Sequence, residues 1–277
     1  MTDTPAQVTL ASVLNRSFED LVEEDYVPLF DVAREKTADA GDLENSDLPR
    51  HIFQYWNANP DAQVTRLLAT TQHLAEDNGV SYQLFSEETA TEYLRDVLGT
   101  RYVSAFQKCV HQAQKSAFFR YCFLLTHGGL WLDADLALRI SPVPLFEQPM
   151  PFFHQRRRIH SLLTNWLMIA PPGDAVIEEI VATSLRNIED TAFFEHHAAR
   201  RNIPAISGFH VVRRAAARRL HAAFNAAPNA ETPIGVIDEP IHDAFIGWPK
   251  IIIGEHLRYK STDQAWQEWQ KSGAEDV

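Results

Sequence analysis

The stretch Ser116-Ala117-Phe118-Phe119-Arg120-Tyr121-Cys122-Phe123-Leu124-Leu125-Thr126-His127-Gly128-Gly129-Leu130-Trp131-Leu132-Asp133-Ala134-Asp135 decides the reading of this chain. Upstream and within it, Val103, Phe106, Val110, Ala113, Ala117, Tyr121 and Leu124 recur at three and four residues. That spacing predicts one long amphipathic helix. His127-Gly128-Gly129 stops it, and Leu130-Trp131-Leu132 follows as a short buried strand. Asp133-Ala134-Asp135 comes next, before a second apolar run from Leu136 to Ile140. Two carboxylates inside so apolar a passage are costly unless something compensates them.

A D-x-D tripeptide arises about once by chance in a chain of this composition, so its setting carries the information. Here a helix, a glycine break and a strand deliver both acids to a strand end, and in an extended segment they project to the same side. Neutralisation by an arginine is one reading. The other is a divalent cation, with hard carboxylate oxygens suited to Mg²⁺ or Mn²⁺ and the remaining positions left to water or phosphate. Arg120 falls on the apolar stripe of the helix and should point inward, where a guanidinium needs a partner.

Outward from this stretch the chain alternates. Residues 50–56 read as a first strand and Pro60 to Gly79 as a helix. Val80 to Phe85 reads as a second strand, and Ser86 caps a further helix. Downstream, Pro151–His154 and Asn165–Ala170 read as strands, Asp174 caps a helix to about Asn187, and Ser207-Gly208 opens an Arg- and Ala-rich helix. Ile251-Ile252-Ile253 is strand-like, and a final helix carries Trp266 and Trp269. Alternating strands and helices argue for an α/β sheet of the nucleotide-binding type.

The chain has 277 residues and a net charge of −12, unevenly spread. Residues 1–48 hold 12 acidic and 3 basic side chains, and Leu14, Phe18, Leu21 and Val22 sit there at helical spacing. This preface is either a helical hairpin packed on the body or a mobile arm. The remainder is near neutral, which excludes the broad basic field of a nucleic-acid binder. No apolar run approaches the roughly 20 residues of a membrane span. The start, MTDTPAQVTLAS, lacks the features of a signal peptide. Cys109 and Cys122, about 20 Å apart on one helix, would be buried thiols. A cytoplasmic location is the expectation. The arginine groups 156–158, 213–214 and 218–219 read as solvated faces, the first with a second reading as an acceptor groove for an anionic glycan or lipid phosphate.

Pro49-Arg50-His51-Ile52-Phe53-Gln54-Tyr55-Trp56 resembles the opening P-K-x-I-H-Q-x-W of glycosyltransferase family 32. Residues 116–135 resemble that family's S-D-x-x-R-Y…L…G-G-x-Y-x-D-x-D core. The family includes fungal initiating mannosyltransferases and bacterial polysaccharide enzymes, with clostridial glucosylating toxins as structural relatives. The resemblance implies a GT-A type α/β fold: a Rossmann-like nucleotide-binding sheet with helical additions. It implies a nucleotide-sugar half at 49–140 and an acceptor half with a C-terminal closing segment at 141–277, behind the 1–48 extension.

By the same resemblance Asp135 ligates the metal, Mn²⁺ or Mg²⁺, and Asp133 contacts the ribose or the metal through water. Arg120 pairs with these acids or with a donor phosphate; Trp56 stacks on the nucleotide base beside Gln54. Trp131 stands where the family has Tyr, Asn165 matches an Asn near the sugar, and His256 is a further metal ligand. A core role for Trp56, a structural ion pair for Arg120, a loop cap for Asn165 and a surface position for His256 are the plainer alternatives. Two positions depart: Phe53 replaces a His, and Ala117 replaces an acid that in relatives binds donor-sugar hydroxyls.

The implied reaction is transfer of a hexosyl group, with retention, from a UDP- or GDP-linked sugar to a glycan, lipid-linked or protein acceptor. A toxin-like protein-modifying transferase and a catalytically silent nucleotide-sugar-binding protein share these motifs. A haloacid-dehalogenase type phosphatase fits poorly, because Ala137 stands where that family has Thr or Val.

Overall fold

The computed structural model describes residues 8–39, 48–57, 59–147, 152–156, 162–227, 231–237, 246–247, 257–262 and 265–274. Its helices are α1 (Leu10–Leu14), α2 (Val27–Asp39), α3 (Ala62–Asp77), α4 (Glu87–Val97), α5 (Thr100–Lys108), α6 (Gln112–Thr126), α7 (Val143–Phe146), α8 (Ala175–Glu189), α9 (Thr191–Ala199), α10 (Ile203–Ile206), α11 (Phe209–Ala226) and α12 (Trp266–Ala274). Its strands are β1 (His51–Tyr55), β2 (Ser81–Phe85), β3 (Gly129–Leu132), β4 (Ala137–Leu138), β5 (Phe152–Arg156), β6 (Leu162–Ala170), β7 (Gly235–Ile237) and β8 (Ile246–Gly247). Six strands form one sheet in the order β2-β1-β3-β6-β5-β7, and β4 pairs with β8 apart from it. Strands β2, β1 and β3 are mutually parallel, β6 runs antiparallel to β3 and β5, and β7 is parallel to β5. This is the mixed α/β fold that the alternating pattern implied.

From β1 the chain crosses through α3 to β2 on one side, then returns through α4, α5 and α6 to β3 on the other. The strand order therefore reverses at β1. In open α/β sheets the crevice beyond the carboxyl ends of strands at such a reversal is where ligands bind. Trp56 and Asp133 are the first residues beyond β1 and β3 at that edge.

Side chains alternate across the sheet with period two, so each strand feeds two cores. Phe53, Tyr55, Trp131, Met168 and Ala170 join a large core with residues of α2, α6, α8 and α11. Ile52, Leu130, Leu132, Leu167 and Ile169 join a smaller one with Ala75 of α3 and with Leu145 and Phe146 of α7. Central parallel strands covered on both faces read as continuous apolar runs, as Leu130-Trp131-Leu132 does.

Three readings of the sequence are corrected. The single long helix is two: α5 ends at Lys108 and α6 begins at Gln112. His111 caps α6, its Nδ1 accepting from the Ala113 N–H at 3.0 Å, and Gln114 Oε1 accepts from the Val110 N–H at 3.0 Å. These side-chain bonds satisfy backbone donors that a continuous helix would satisfy internally. Cys109 and Cys122 thus lie on different elements, both buried and free. The helix after β1 is capped by Asp61, whose carboxylate accepts from Gln63 N and Val64 N, so Pro60 precedes the cap. Three of the α11 arginines, Arg213, Arg214 and Arg218, are not a bare solvated face, because the acidic preface pairs with them, whereas Arg219 is exposed. Glu23 accepts from Arg213 Nη1 at 2.6 Å and His210 Nδ1 at 2.8 Å, and Glu19 accepts from Arg214 and Arg218.

Of the two alternatives for the N-terminal stretch, residues 8–39 pack on the body. Val13, Leu21, Tyr26, Leu29, Phe30 and Ala33 enter the large core, whereas Val22 is exposed. The side chain of Arg156, the residues 157–158 and the strand-like 251–253 lie outside what is described.

Gly128 and Gly129 have φ of +72° and +106°. A Cβ at Gly129 would stand 2.6 Å from the His51 carbonyl oxygen of the neighbouring strand. Both the backbone conformation and the close approach of β1 to β3 therefore require glycine. Gly129→Ala should lower the urea midpoint by an amount equivalent to about 2 kcal/mol or more, with little change in m-value.

His51 packs against Phe53 and Phe123 and meets His127 edge-on. Ser81 Oγ donates to the Arg50 carbonyl at 3.0 Å, so it accepts the proton of His51 Nδ1 at 2.7 Å and leaves Nε2 bare. Burial, with repulsion from His127, pushes the imidazole pKa down to about 4. Between about pH 6.5 and 4 the unfolded chain then binds more protons than the folded one, and stability falls as pH is lowered through that window. Thermal unfolding should show a steeper loss of Tm from pH 7 to 4.5 in the wild type than in His51→Phe.

Candidate active site

At the crevice beyond β1 and β3 lies a cavity of about 700 Å³. Its polar end is walled by Trp56, Arg120, Asp133, Asp135, Asn165, Tyr259 and Lys260. Val110, Ile203, Pro204, Phe209 and Trp269 also line it, with His111 against the Trp269 ring and Arg213 over the Phe209 ring.

Asp133 leaves the end of β3 and turns back under the wall. Its Oδ1 accepts from Arg120 Nη2 at 2.7 Å and from the Trp131 indole N–H at 2.8 Å. Its carbonyl accepts from Gln54 Nε2 at 3.2 Å, and Gln54 Oε1 accepts from the Tyr82 hydroxyl at 2.9 Å. Arg120 sits inward on α6, as its place on the apolar stripe required, and is only 4% exposed. Its guanidinium lies 4.4 Å over the Trp131 ring and donates through Nη1 to the Asn165 carbonyl, while Nε has no partner among the described residues. Burial raises the pKa of Asp133, the Arg120 guanidinium opposes that rise, and the nearby Asp135 adds to it. Loss of hydration thus outweighs a single ion pair, the usual balance for a buried carboxylate.

Asp135, two residues on, faces the cavity and meets a different set. Its Oδ2 accepts from the Tyr259 hydroxyl at 2.6 Å and forms an ion pair with Lys260 Nζ. Tyr259 also stands edge-on to Trp56, with ring centroids 5.2 Å apart. Burial and the Asp135 carboxylate push its phenol above the ordinary range, so it stays protonated and donates. Both residues come from the short turn Arg258–Ser261.

The structure thus brings Trp56, Arg120, Asp133, Asp135 and Asn165 to one wall. Gln54 and Trp131 do not line the cavity; they are fully buried behind it and hold Asp133. Asn165 lies at the surface of the cavity with its amide on the Tyr121 hydroxyl at 2.9 Å. His256 lies outside the described residues. Ala117 is on the wall one turn before Arg120, and no acid replaces it there among the described lining residues. Beside it runs a polar chain: Tyr55 hydroxyl to Gln112 at 3.0 Å, Gln112 to Glu87 at 3.0 Å, and Lys115 paired with Glu87.

Sequence reasoning missed Tyr259 and Lys115. A tyrosine in a polar tail carries no local signal, and Lys115 reads as one more solvated lysine.

As a metal centre the site offers two carboxylates on the cavity wall, Asp133 held by Arg120 and Trp131 and Asp135 by Tyr259 and Lys260. Among the described residues no third His, Cys, Asp or Glu joins them. The protein's own ammonium already rests on Asp135, which marks that oxygen as a place where positive charge is stabilised. A hard divalent ion fits this donor set if diphosphate and water complete its shell.

The model of a family described as a glycosyltransferase sugar-binding region containing a DXD motif matches residues 49–150. An uncharacterized glycosyltransferase of Acanthamoeba polyphaga mimivirus is 24% identical over 121 residues, which are 43% of this chain and 47% of that one. The chain thus spans about half the length of the curated relative it matches. Among solved structures, the PaToxG glycosyltransferase superposes with a TM-score of 0.51 at 12% identity, covering 90% of this chain and 96% of that one. That likeness is one of fold, mixed α/β of the GT-A kind. Residues 49–150 are thus similar to a glycosyltransferase sugar-binding region of the DXD type.

Proposed function

We propose that this chain is a hexosyltransferase that moves a sugar from a UDP- or GDP-linked donor to a hydroxyl of a glycan, lipid-linked or protein acceptor, with retention. The observation that carries the reading is the placement of Asp133 and Asp135 at the strand-order reversal, on the polar wall of a cavity large enough for a nucleotide sugar. Trp56, half-buried at the end of β1, offers a ring face to the base. Asn165 and Arg120 line the same wall, tied to each other through the Asn165 carbonyl.

Asp135, backed by Asp133, would hold Mn²⁺ or Mg²⁺, which supplies Lewis-acid charge stabilisation at a leaving diphosphate. The chain's own contribution is placement. Arg120 holds Asp133 in place, and Tyr259 fixes the rotamer of Asp135.

A second reading is favoured by Ala117. With no acid one turn before Arg120, a hydrogen-bond acceptor for the donor sugar is absent, worth about 1–3 kcal/mol of recognition. A nucleotide-sugar-binding protein without transfer activity follows from that loss.

Among the described residues no helix is long and apolar enough to cross a membrane. The apolar side chains of Val110, Ile203, Phe209 and Trp269 on the cavity wall suit an acceptor hydroxyl carried on an apolar or aromatic group.

The test is nucleotide release from a panel of UDP- and GDP-sugars with Mn²⁺. The transferase reading expects release from one donor, at least about a hundredfold lower in Asp135→Ala. Metal-dependent nucleotide binding with no release from any donor would instead establish the binding-protein reading. Release that Asp135→Ala leaves unchanged would remove the metal role assigned to it.

A further inference from the structure

Arg213, near the start of α11, is a charged residue of the cavity wall for which donor binding has no use. Its guanidinium is held on three sides. Nε donates to the Leu163 carbonyl at 2.8 Å, Nη1 donates to Glu23 at 2.6 Å, and the group lies 4.2 Å over the Phe209 ring. Leu163 is two residues before Asn165 on β6, whose carbonyl holds Arg120, so both guanidiniums dock on one strand. The third nitrogen, Nη2, has no partner among the described residues and, unlike Arg120 Nε, is not sealed from solvent.

Positive character collects here. Gly208, also on the wall, is the N-cap of the 18-residue α11 and supplies no side-chain cap. A Cβ there would stand 2.6 Å from the Pro204 Cα, so no capping side chain fits. The start of a helix favours an anion, as Arg213 does. Glu23, the carboxylate that answers Arg213, is not on the wall and is shared with His210. Burial disfavours the charge of Arg213, and Glu23 opposes that effect.

We propose that Arg213 is a specificity-determining residue on the acceptor side: its Nη2 opens on the cavity and binds a carboxylate or phosphate group carried by the acceptor sugar. This rests on the transferase reading above and narrows its acceptor to an acidic sugar. Phe209 and Trp269, on the same wall, suit the apolar faces of such a ring. A guanidinium already fixed by two hydrogen bonds and a ring loses little further freedom on binding, so its remaining donor discriminates charge efficiently.

The experiment is calorimetric titration of the full chain with phenyl glucuronide, phenyl glucoside phosphate and the uncharged phenyl glucoside, with Mn²⁺ and UDP or GDP filling the donor site. The wild type should bind at least one charged probe about tenfold tighter than the uncharged one, and which probe it is separates carboxylate from phosphate. Arg213→Met should abolish that preference. Glu23→Gln, which removes the competing carboxylate, should enlarge it several-fold, and the double variant should show none. Both single variants break the Glu23–Arg213 pair, so a merely structural role would move them in the same direction. Equal affinity for charged and uncharged probes in the wild type, binding of none of the three included, overturns the proposal, as does a preference that survives Arg213→Met. UDP and GDP titrated alone report on the donor reading: a chain that prefers a charged probe yet binds neither nucleotide overturns that reading, and the acceptor role of Arg213 with it.

Discussion

The buried pair between Arg120 and Asp133 is the constraint on which the site depends. It joins α6 to the end of β3, and the same guanidinium reaches the Asn165 carbonyl of β6. Gln54 of β1 holds the Asp133 carbonyl from the other side. Three neighbouring strands and one helix are therefore tied at the point where the strand order reverses. A buried ion pair contributes little net stability, yet removing one partner strands the other charge at a cost of about 3–5 kcal/mol. The pair is thus a geometric device that fixes Asp133 at the strand end, while Tyr259 and Lys260 hold Asp135 two residues on.

The N-terminal segment is part of the same construction. Its carboxylates meet the arginines of α11, but exposed pairs such as Glu19 with Arg214 contribute about 0–1 kcal/mol each. Burial of Leu29, Phe30 and Tyr26 stabilises the contact more, at about 1.5–3 kcal/mol per side chain. Through Glu23 the segment also holds Arg213, a residue of the cavity wall, so a stretch that looks peripheral in the chain reaches the site.

Much of this is legible in the sequence. The strands at 51–55, 81–85 and 129–132 follow from apolar runs bounded by turn residues, and the caps at Ser86 and Asp174 from single polar residues before apolar periodicity. The inward face of Arg120 follows from helical spacing. The continuous helix over 101–126 does not hold, because periodicity persists across a break when both halves pack on one core. The local signal for that break is His111 followed by Gln114, a pair able to cap a new helix. The arginines of α11 escape sequence reading for another reason: their partners are about 190 residues away in the chain.

Local pattern alone determined the strand ends, the glycine break and the arrival of two carboxylates at one edge, since each depends on neighbours within a few residues. Tertiary structure alone decided that Trp131 and Gln54 stand behind Asp133 and that Tyr259 and Lys260 stand on Asp135. It also decided that the acidic preface covers α11. Those contacts join residues far apart in the chain, and nothing in a local window records which buried charge a distant side chain will meet.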